Sequence, residues 1–341
     1  MAPRVPSAAA VLPSSPPAAE ERPSPSTSAR ERSGPVVDSV VDLIGETPIL
    51  ELKRFEPADR ASLFAKLEWL SPGGSIKDRT GLGMILWAEE HGHLEPGGTI
   101  VEPTAGNTGI GLALVGAQRG YKVILCVAES YSIEKVKLME ALGGTVIRTP
   151  KEDGMTGAIC RAQEVAAEIP GSFVPQQFEN PGNPEIHELT TGPEIWRQMG
   201  GRVDAVVIGV GSGGSFTGVS RYLRRMNPRV LCVAVETNGS VLQGGAPGPH
   251  EVEGIGVSFV PEVFDGGLAD EIVMIHDDES FATAKRLAAQ EGLLVGGSSG
   301  GNCAAALRIA RRLGPGKRVV TLMPDAAERY LSKGRLGGPP P

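Results

Sequence analysis

The stretch GTIVEPTAGNTGIGLALVGAQRGYKVILCVA, residues 98–128, contains the pattern that decides the fold. A short β-branched run, GTIVEP, is followed by the helical pattern NTGIGLALVGAQRG and then by a second apolar run, YKVILCVA. The helical pattern ends in glycine, which is the residue that helix C-caps prefer. A strand, a helix and a second strand in this order predict a parallel pair of strands joined by a crossover helix.

The same alternation extends along the chain in both directions. Further strands are predicted in TVIRTP (145–150), VDAVVIGV (203–210), VLCVAVE (230–236) and RVVTLMP (318–324). Further helices are predicted in TGLGMILWAEEHG (80–92), SIEKVKLMEALGG (132–144), TGVSRYLRRM (217–226), ESFATAKRLAAQEG (279–292) and GGNCAAALRIARRLG (300–314). We therefore expect an α/β protein with parallel sheets, helices on both faces, and ligands bound at the carboxyl ends of the strands.

Composition places the chain among ordinary globular proteins. It has 341 residues, of which 40% are hydrophobic and 21% are charged. The net charge of −7 argues against non-specific binding of nucleic acid, and no run approaches the roughly 18 apolar residues of a membrane span. The four cysteines form no C-x-x-C pair and have no histidine cluster beside them, so we expect buried, reduced thiols, no metal site and a cytoplasmic location.

Residues 1–38 differ in composition from the rest of the chain. They are rich in Pro, Ser and Ala and contain no aromatic residue, so they cannot bury enough apolar surface to offset the entropy of ordering. We expect a disordered tail. Glu20, Glu21 and Glu31 favour a plain tail over an organelle-targeting peptide, because transit peptides are poor in acidic residues.

The segment GVGSGG, residues 209–214, follows a predicted strand and opens a predicted helix. It matches G-x-G-x-x-G, and Glu236 closes the next strand, where a dinucleotide enzyme places the acid that binds ribose. Taken alone, this pattern predicts an NAD-dependent dehydrogenase. Physically it shows only that backbone N–H groups are exposed at a helix N-terminus, which suits a phosphate of any cofactor.

Lys77 lies in the second motif, SPGGSIKDRTG (71–81), after a glycine-rich turn and before a helical run. Asp78 and Arg79 follow it directly, and composition alone would favour a solvated helix start with three ordinary charges. A lysine at this place has a chemical use only if a carbonyl cofactor needs an imine.

Two further loops carry hydroxyl and amide groups at predicted helix starts. In EPTAGNTGIGLAL (102–114), Thr104, Asn107 and Thr108 surround free helix N–H groups, which predicts an anion site. In EGLLVGGSSGGN (291–302), paired glycines allow the backbone to pass close to a flat ligand, and two serines follow at the helix start.

Together these segments resemble the cysteine synthase and cystathionine β-synthase group of the fold-type II pyridoxal-phosphate enzymes. The resemblance runs from about Val40 to Lys333. Its landmarks are IGETPIL (44–50), KLEWLSPGGSIKDR (66–79), EPTAGNTGIGLAL (102–114), QQFENPGNPEIHELTTGPEIW (176–196), GVGSGGSFTGV (209–219), EGIGVSFVP (253–261), LLVGGSSGG (293–301) and MPDAAERYLSK (323–333).

The resemblance implies two three-layer αβα domains with parallel sheets and the cofactor in the cleft between them. Residues 39–73 and 185–335 would form the large cofactor domain, and residues 74–184 a smaller, mobile domain. A homodimer is implied as well, with serine acetyltransferase as a further partner.

The resemblance also assigns roles to residues in the matching positions. Lys77 would be the catalytic lysine that carries pyridoxal 5′-phosphate as a Schiff base. Asn107 would bind the ring hydroxyl and Ser298 would face the pyridine nitrogen. The phosphate would be held by Gly211, Ser212, Gly213, Gly214 and Ser215, and the substrate α-carboxylate by Thr104, Ala105, Gly106, Thr108 and Gln177.

The implied reaction is β-replacement, in which O-acetyl-L-serine and sulfide give L-cysteine and acetate through an aminoacrylate intermediate. The alternative is a cystathionine β-synthase that uses homocysteine with O-acetylserine or serine. Ala105, where many cysteine synthases have serine, and EDGMTGAI (152–159) resemble the bacterial cystathionine-forming branch, whereas 176–196 resembles the cysteine synthases closely. Val257 stands where animal cystathionine β-synthases have tyrosine, which argues against that branch.

Two more distant alternatives explain less of the sequence. A threonine or serine dehydratase fits the landmarks after residue 176 less well. A Rossmann dehydrogenase accounts for GVGSGG and Glu236 but leaves SPGGSIKDR and EPTAGNTG without a use.

Overall fold

The segment 98–128 folds as its pattern predicts. In the computed structural model, which describes residues 36–55, 59–104 and 106–336, it forms strand β3 (Thr99–Pro103), helix α2 (Asn107–Arg119) and strand β4 (Lys122–Ala128). The two strands pair in parallel, with Thr99 opposite Lys122, so the loop between β3 and α2 lies at their carboxyl ends. Residues 1–35, which hold most of the predicted tail, lie outside the described residues.

Strand β5 (Thr145–Thr149) joins these two in parallel and completes a three-stranded sheet in the order β3-β4-β5. Helix α4 (Gly154–Glu168) packs on β3 and β4, and α3 (Ile133–Ala141) and α2 lie close to one another. Helix α1 (Lys77–Glu90) packs along α2.

A second sheet has six strands in the order β1-β2-β9-β6-β7-β8. Its members are β1 (Ile49–Glu51), β2 (Ser62–Leu67), β6 (Ala205–Gly209), β7 (Leu231–Thr237), β8 (Glu271–Ile275) and β9 (Arg318–Met323). All pairings are parallel except that of β1 with β2, which is antiparallel and forms one edge. The sequence analysis predicted β6, β7 and β9 and missed β1, β2 and β8.

Helices cover the six-stranded sheet on both faces. Alternate residues of β6 enter two different cores: Ala205 and Val207 join one, and Val206 and Ile208 join the other. The helices are α5 (Gly182–Ile186), α6 (Gly192–Gln198), α7 (Gly214–Met226), α8 (Asp277–Glu291) and α9 (Gly297–Leu313), with a π-helical turn at His187–Thr191 between α5 and α6. This confirms the α/β class with parallel sheets.

The chain from Asp38 onward forms one compact unit. The strands of the small sheet lie between residues 99 and 149, and those of the large sheet lie between 49 and 67 or between 205 and 323. The division into domains at residues 74 and 185 stays a prediction.

A buried network of charges holds the start of α1. Arg79, 1% exposed, pairs through Nε with Glu68 Oε2 at 2.7 Å and through Nη1 with Glu194 Oε1 at 2.7 Å. Lys66 Nζ lies 2.6 Å from Glu194 Oε2. The solvated helix start that composition favoured is therefore wrong, because Asp78 and Arg79 are both buried.

No helix in the described part of the chain is long and apolar enough to cross a membrane. The four cysteines, all in the described part of the chain, form no disulfide, and Cys126, Cys232 and Cys303 are buried as expected. Cys160 is exposed, so the prediction of burial is wrong there.

We expect Arg79→Met to lower the free energy of unfolding by about 3–5 kcal/mol, because it leaves the buried Glu68 without its cationic partner and Glu194 with Lys66 alone. Urea unfolding followed by circular dichroism measures this. Arg308→Met is the matched control, since Arg308 pairs with Glu279 at the surface, where an ion pair contributes about 0–1 kcal/mol. Equal losses in the two variants would show that the network does not stabilise the fold.

Candidate active site

Lys77 is the first residue of α1, and its side chain is partly buried beside the loop that follows β6. Its Nζ lies 3.5 Å from Ser212 Oγ. Burial lowers the pKa of Lys77 to about 8, while the nearby charge of Asp325 acts in the opposite direction. The amine is therefore partly neutral near neutral pH, which is the form that can act as a nucleophile or a base.

The loop between β6 and α7, residues 210–213, ends where α7 begins, at Gly214. The first N–H groups of a helix have no partner within it and form an anion site. Gly213 has a φ of 91°, and a Cβ there would lie 2.6 Å from Cβ of Phe264. The backbone conformation and the packing against Phe264 thus both require glycine at this position.

A narrow cavity brings together residues from six separate parts of the chain. Seven of the eight predicted cofactor residues line it: Lys77, Asn107, Gly211, Ser212, Gly213, Ser215 and Ser298. Gly214, the eighth, packs at the start of α7, where a Cβ would meet Asn183 Oδ1 at 2.1 Å. Their roles toward the cofactor stay predictions.

The cavity wall also carries buried polar atoms without hydrogen-bond partners, Asn302 Oδ1 and Asp325 Oδ1. A buried polar group without a partner is costly, so such atoms point to a polar ligand. The cavity is narrow and offers an amine, a hydroxyl and the N-terminus of α7, which can bind an anion. These features fit an anionic ring compound that carries an aldehyde, such as pyridoxal phosphate.

The amide of Asn107 is held from both ends. Its Nδ2 donates to Asp325 Oδ2 at 2.6 Å, and its Oδ1 accepts from Arg329 Nη1 at 2.7 Å. Arg329 also donates to the carbonyl of Gly73, in the turn before Lys77. These two contacts fix the orientation of the Asn107 amide and leave the second N–H of Nδ2 to donate into the cavity. The sequence analysis quoted MPDAAERYLSK as a landmark but gave neither Asp325 nor Arg329 a role.

Three of the predicted carboxylate-binding residues, Gly106, Thr108 and Gln177, line a larger adjoining cavity of about 390 Å³. Thr108 Oγ1 donates to Gln177 Oε1 at 2.7 Å. Thr104 is buried beneath this loop, where its Oγ1 accepts from the N–H groups of Gly106 and Gly109 at 3.0 and 3.2 Å. Thr104 thus shapes the loop. Ala105 lies outside the described residues.

Glu102, to which the sequence analysis gave no role, holds the backbone of the segment that carries Gln177. Its two carboxylate oxygens accept from the N–H groups of Gln176 and Gln177 at 2.9 and 3.2 Å. Burial raises the pKa of Glu102 to about 7, although both hydrogen bonds oppose this. Glu102 thereby ties the end of β3 to the segment that carries Gln177.

Residues 40–325 match the family model described as pyridoxal-phosphate dependent enzyme. The chain belongs to this family. Over 298 residues it is 46% identical to the O-acetylserine dependent cystathionine beta-synthase of Bacillus subtilis strain 168, covering 87% of this chain and 97% of the relative. It is also 46% identical over 298 residues to a cysteine synthase of Staphylococcus aureus strain Mu50, covering 87% and 96%.

The fold matches solved structures equally well. The crystal structure of O-acetylserine dependent cystathionine beta-synthase from Helicobacter pylori superposes with a TM-score of 0.84 at 46% identity, over 88% of this chain and 98% of that one. This confirms the fold-type II class, the cofactor and the family that the motifs indicated. Among the described residues, no group of three or more His, Cys, Asp or Glu side chains is placed to hold a metal ion.

The lowered pKa of Lys77 is testable without turnover. We expect competitive labelling of the cofactor-free protein with trace acetic anhydride to show a midpoint near pH 8 for the peptide that carries Lys77. An unperturbed lysine has a pKa of about 10.4. Nα-acetyl-lysine, which has a free ε-amine, provides that reference in the same reaction. A midpoint above pH 10 at Lys77 would contradict the burial of its amine.

Proposed function

We propose that the protein catalyses β-replacement, in which O-acetyl-L-serine and sulfide give L-cysteine and acetate. The observation that carries this proposal is the position of Lys77, which lines both the narrow cavity and the larger one. A single amine can therefore reach a cofactor in the first and an amino acid in the second. The name of one relative, O-acetylserine dependent cystathionine beta-synthase, supports the same donor, and that of another, cysteine synthase, supports the same product.

Several residues would hold the cofactor. Lys77 would bind its aldehyde, the loop 211–215 its phosphate, Asn107 its ring hydroxyl and Ser298 its ring nitrogen. Bound there, pyridoxal phosphate supplies a conjugated ring that withdraws electrons from Cα of an amino acid. Ser298 is uncharged, so it does not fix a proton on the ring nitrogen as an aspartate would. This favours prompt loss of a β-leaving group over transamination.

The residues of the larger cavity would bind and orient the donor. Gly106, Thr108 and Gln177 would hold the α-carboxylate at the N-terminus of α2, in a loop that Thr104 shapes, and the resemblance assigns Ala105 to the same carboxylate. Lys77 Nζ, neutral above its lowered pKa, would remove the proton from Cα. Acetate then departs with the electrons of its bond to Cβ, and the sulfur nucleophile forms the new bond at that carbon. Enclosure of the donor would exclude water from the site.

We also propose a cytoplasmic homodimer. The absence of a disulfide among the four described cysteines supports a reducing compartment, and the homodimer rests on the resemblance. The resemblance alone supports serine acetyltransferase as a partner.

We expect Lys77→Ala to lose turnover of O-acetylserine by at least about 10²–10⁴-fold, because the variant lacks both the anchoring amine and the base. Acetate release measures this, and circular dichroism checks that the fold is retained. Lys317→Ala, at an exposed pair with Asp204, is the control. Near-normal turnover in Lys77→Ala would sink the assignment.

We expect sulfide to give a higher kcat/KM than homocysteine with O-acetylserine as the donor. Sulfide carries no charged head group that must be desolvated on entry. Steady-state rates with each acceptor, and with serine in place of O-acetylserine, measure this. A preference for homocysteine of tenfold or more, about 1.4 kcal/mol, would make cystathionine synthesis the principal activity.

A further inference from the structure

The segment 175–181 lies between α4 and α5 and brings Gln177 to the wall of the larger cavity. Gln176 has a φ of 54°, which is uncommon for a residue other than glycine and persists only where neighbouring contacts impose it. Asn180 supplies one such contact, because its Nδ2 donates to the carbonyl of Pro175 at 2.9 Å. Side chains therefore help to set the path of this segment.

Gln177 itself is held at three points. Its N–H donates to Glu102 Oε1 at 3.2 Å, and its carbonyl accepts from Asn183 Nδ2 at 2.7 Å. Its Oε1 accepts from Thr108 Oγ1 at 2.7 Å. Because Thr108 occupies the side-chain oxygen, the NH2 group is what Gln177 can offer to an anion. The direction in which that group points depends on these three partners.

Asn183, in α5, is completely buried and uses both N–H groups of its amide. The second N–H donates to Ser212 Oγ at 2.9 Å, and Oδ1 accepts from Thr80 Oγ1 at 3.4 Å. Ser212 lines both cavities, and its Oγ lies 3.5 Å from Lys77 Nζ. One amide thus contacts both the loop between β6 and α7 and the segment that carries Gln177.

The partners of Asn183 differ from those of Glu102. Asn183 donates to two residues that line cavities, Ser212 beside Lys77 and Gln177 on the donor side. Glu102 accepts from Gln176 and Gln177, both on the donor side. A change at Asn183 should therefore reach both sites through one hydrogen bond each, whereas a change at Glu102 should reach the donor site.

We propose that Asn183 is a positioning residue that orients Ser212 toward the cofactor and Gln177 toward the donor at the same time. This rests on the proposed β-replacement, in which the loop 211–215 holds the cofactor phosphate and Gln177 the donor carboxylate. Asn183 contacts neither ligand in this account. It acts through Ser212 on one side and through the backbone of Gln177 on the other.

Two constants measured on one variant test this. We expect Asn183→Leu to raise the Kd for pyridoxal phosphate and the KM for O-acetylserine by about 3–10-fold each, the usual effect of losing one hydrogen bond. Fluorescence titration of the cofactor-free protein gives the Kd. Acetate release at saturating cofactor and sulfide gives the KM, and kcat should change by less than about twofold. Glu102→Gln should raise only the KM.

A second comparison tests the route through Ser212. In a Ser212→Ala background, adding Asn183→Leu should change the cofactor Kd by less than about twofold, because the group through which it acts is already gone. The same addition should still raise the KM for O-acetylserine. A merely structural role of Asn183 would give the same change in Kd with and without the Ser212 hydroxyl.

Asn227→Leu is the matched control, because the Asn227 amide also donates to a backbone carbonyl, that of Val203, outside both cavities. It should leave both constants unchanged. Circular dichroism checks the fold of each variant. Should Asn183→Leu fail to fold, Asn183→Ala removes the same two donors without adding bulk and gives the same comparisons.

Wild-type values of both constants in the Asn183 variant would overturn the inference. A change confined to one of them, or equal changes in Kd in the two Ser212 backgrounds, would overturn it as well. A wild-type enzyme without turnover of O-acetylserine and sulfide would instead contradict the proposed function. The cofactor titrations would then still decide whether Asn183 acts through Ser212.

Discussion

The pairing of Arg79 with Glu68 and Glu194 is the constraint on which the rest of the site depends. Arg79 lies two residues after Lys77, in the first turn of α1, and its guanidinium is fixed from two sides by buried carboxylates. Glu68 follows β2 of the large sheet, and Glu194 lies in α6. The network therefore fixes the start of α1 relative to both elements. Because Lys77 is part of that start, its amine is positioned by charges that never touch a ligand.

A second set of contacts joins the loops around the cavity. Arg329 connects the turn before Lys77 with Asn107, and Asp325 holds the other end of the same amide. Burial raises the pKa of Asp325, against the effect of the cations around it. Its Oδ1, like Oδ1 of Asn302, is buried without a hydrogen-bond partner. The site thus combines a narrow cavity, in which the amide of Asn107 is held in one orientation, with a larger cavity whose wall carries the ion pair of Lys135 and Glu253.

The sequence predicted the parts of this arrangement that are local. Strand–loop–helix patterns placed Lys77, Asn107, the 211–215 loop and Ser298 at element ends, and the structure collects them around one cavity. The partners that orient them could not be found in this way. Arg329 is 222 residues from Asn107 in sequence, and Glu253 is 118 from Lys135, so only the fold shows that they meet. Of the missed strands, β1 has three residues, too few for a clear pattern. Strands β2 and β8, with six and five residues, are as long as strands that were predicted, so their length does not explain the miss.

We propose Lys77 as the amine that carries the cofactor, and this assignment can be tested directly. Reduction of the cofactor-loaded enzyme with borohydride makes the link between protein and cofactor permanent, and peptide mapping by mass spectrometry then locates it. We expect a phosphopyridoxyl group on the peptide that contains Lys77, close to one per chain. A modification at another lysine of the cavity, such as Lys135, or an unmodified Lys77 in fully loaded enzyme, would contradict it.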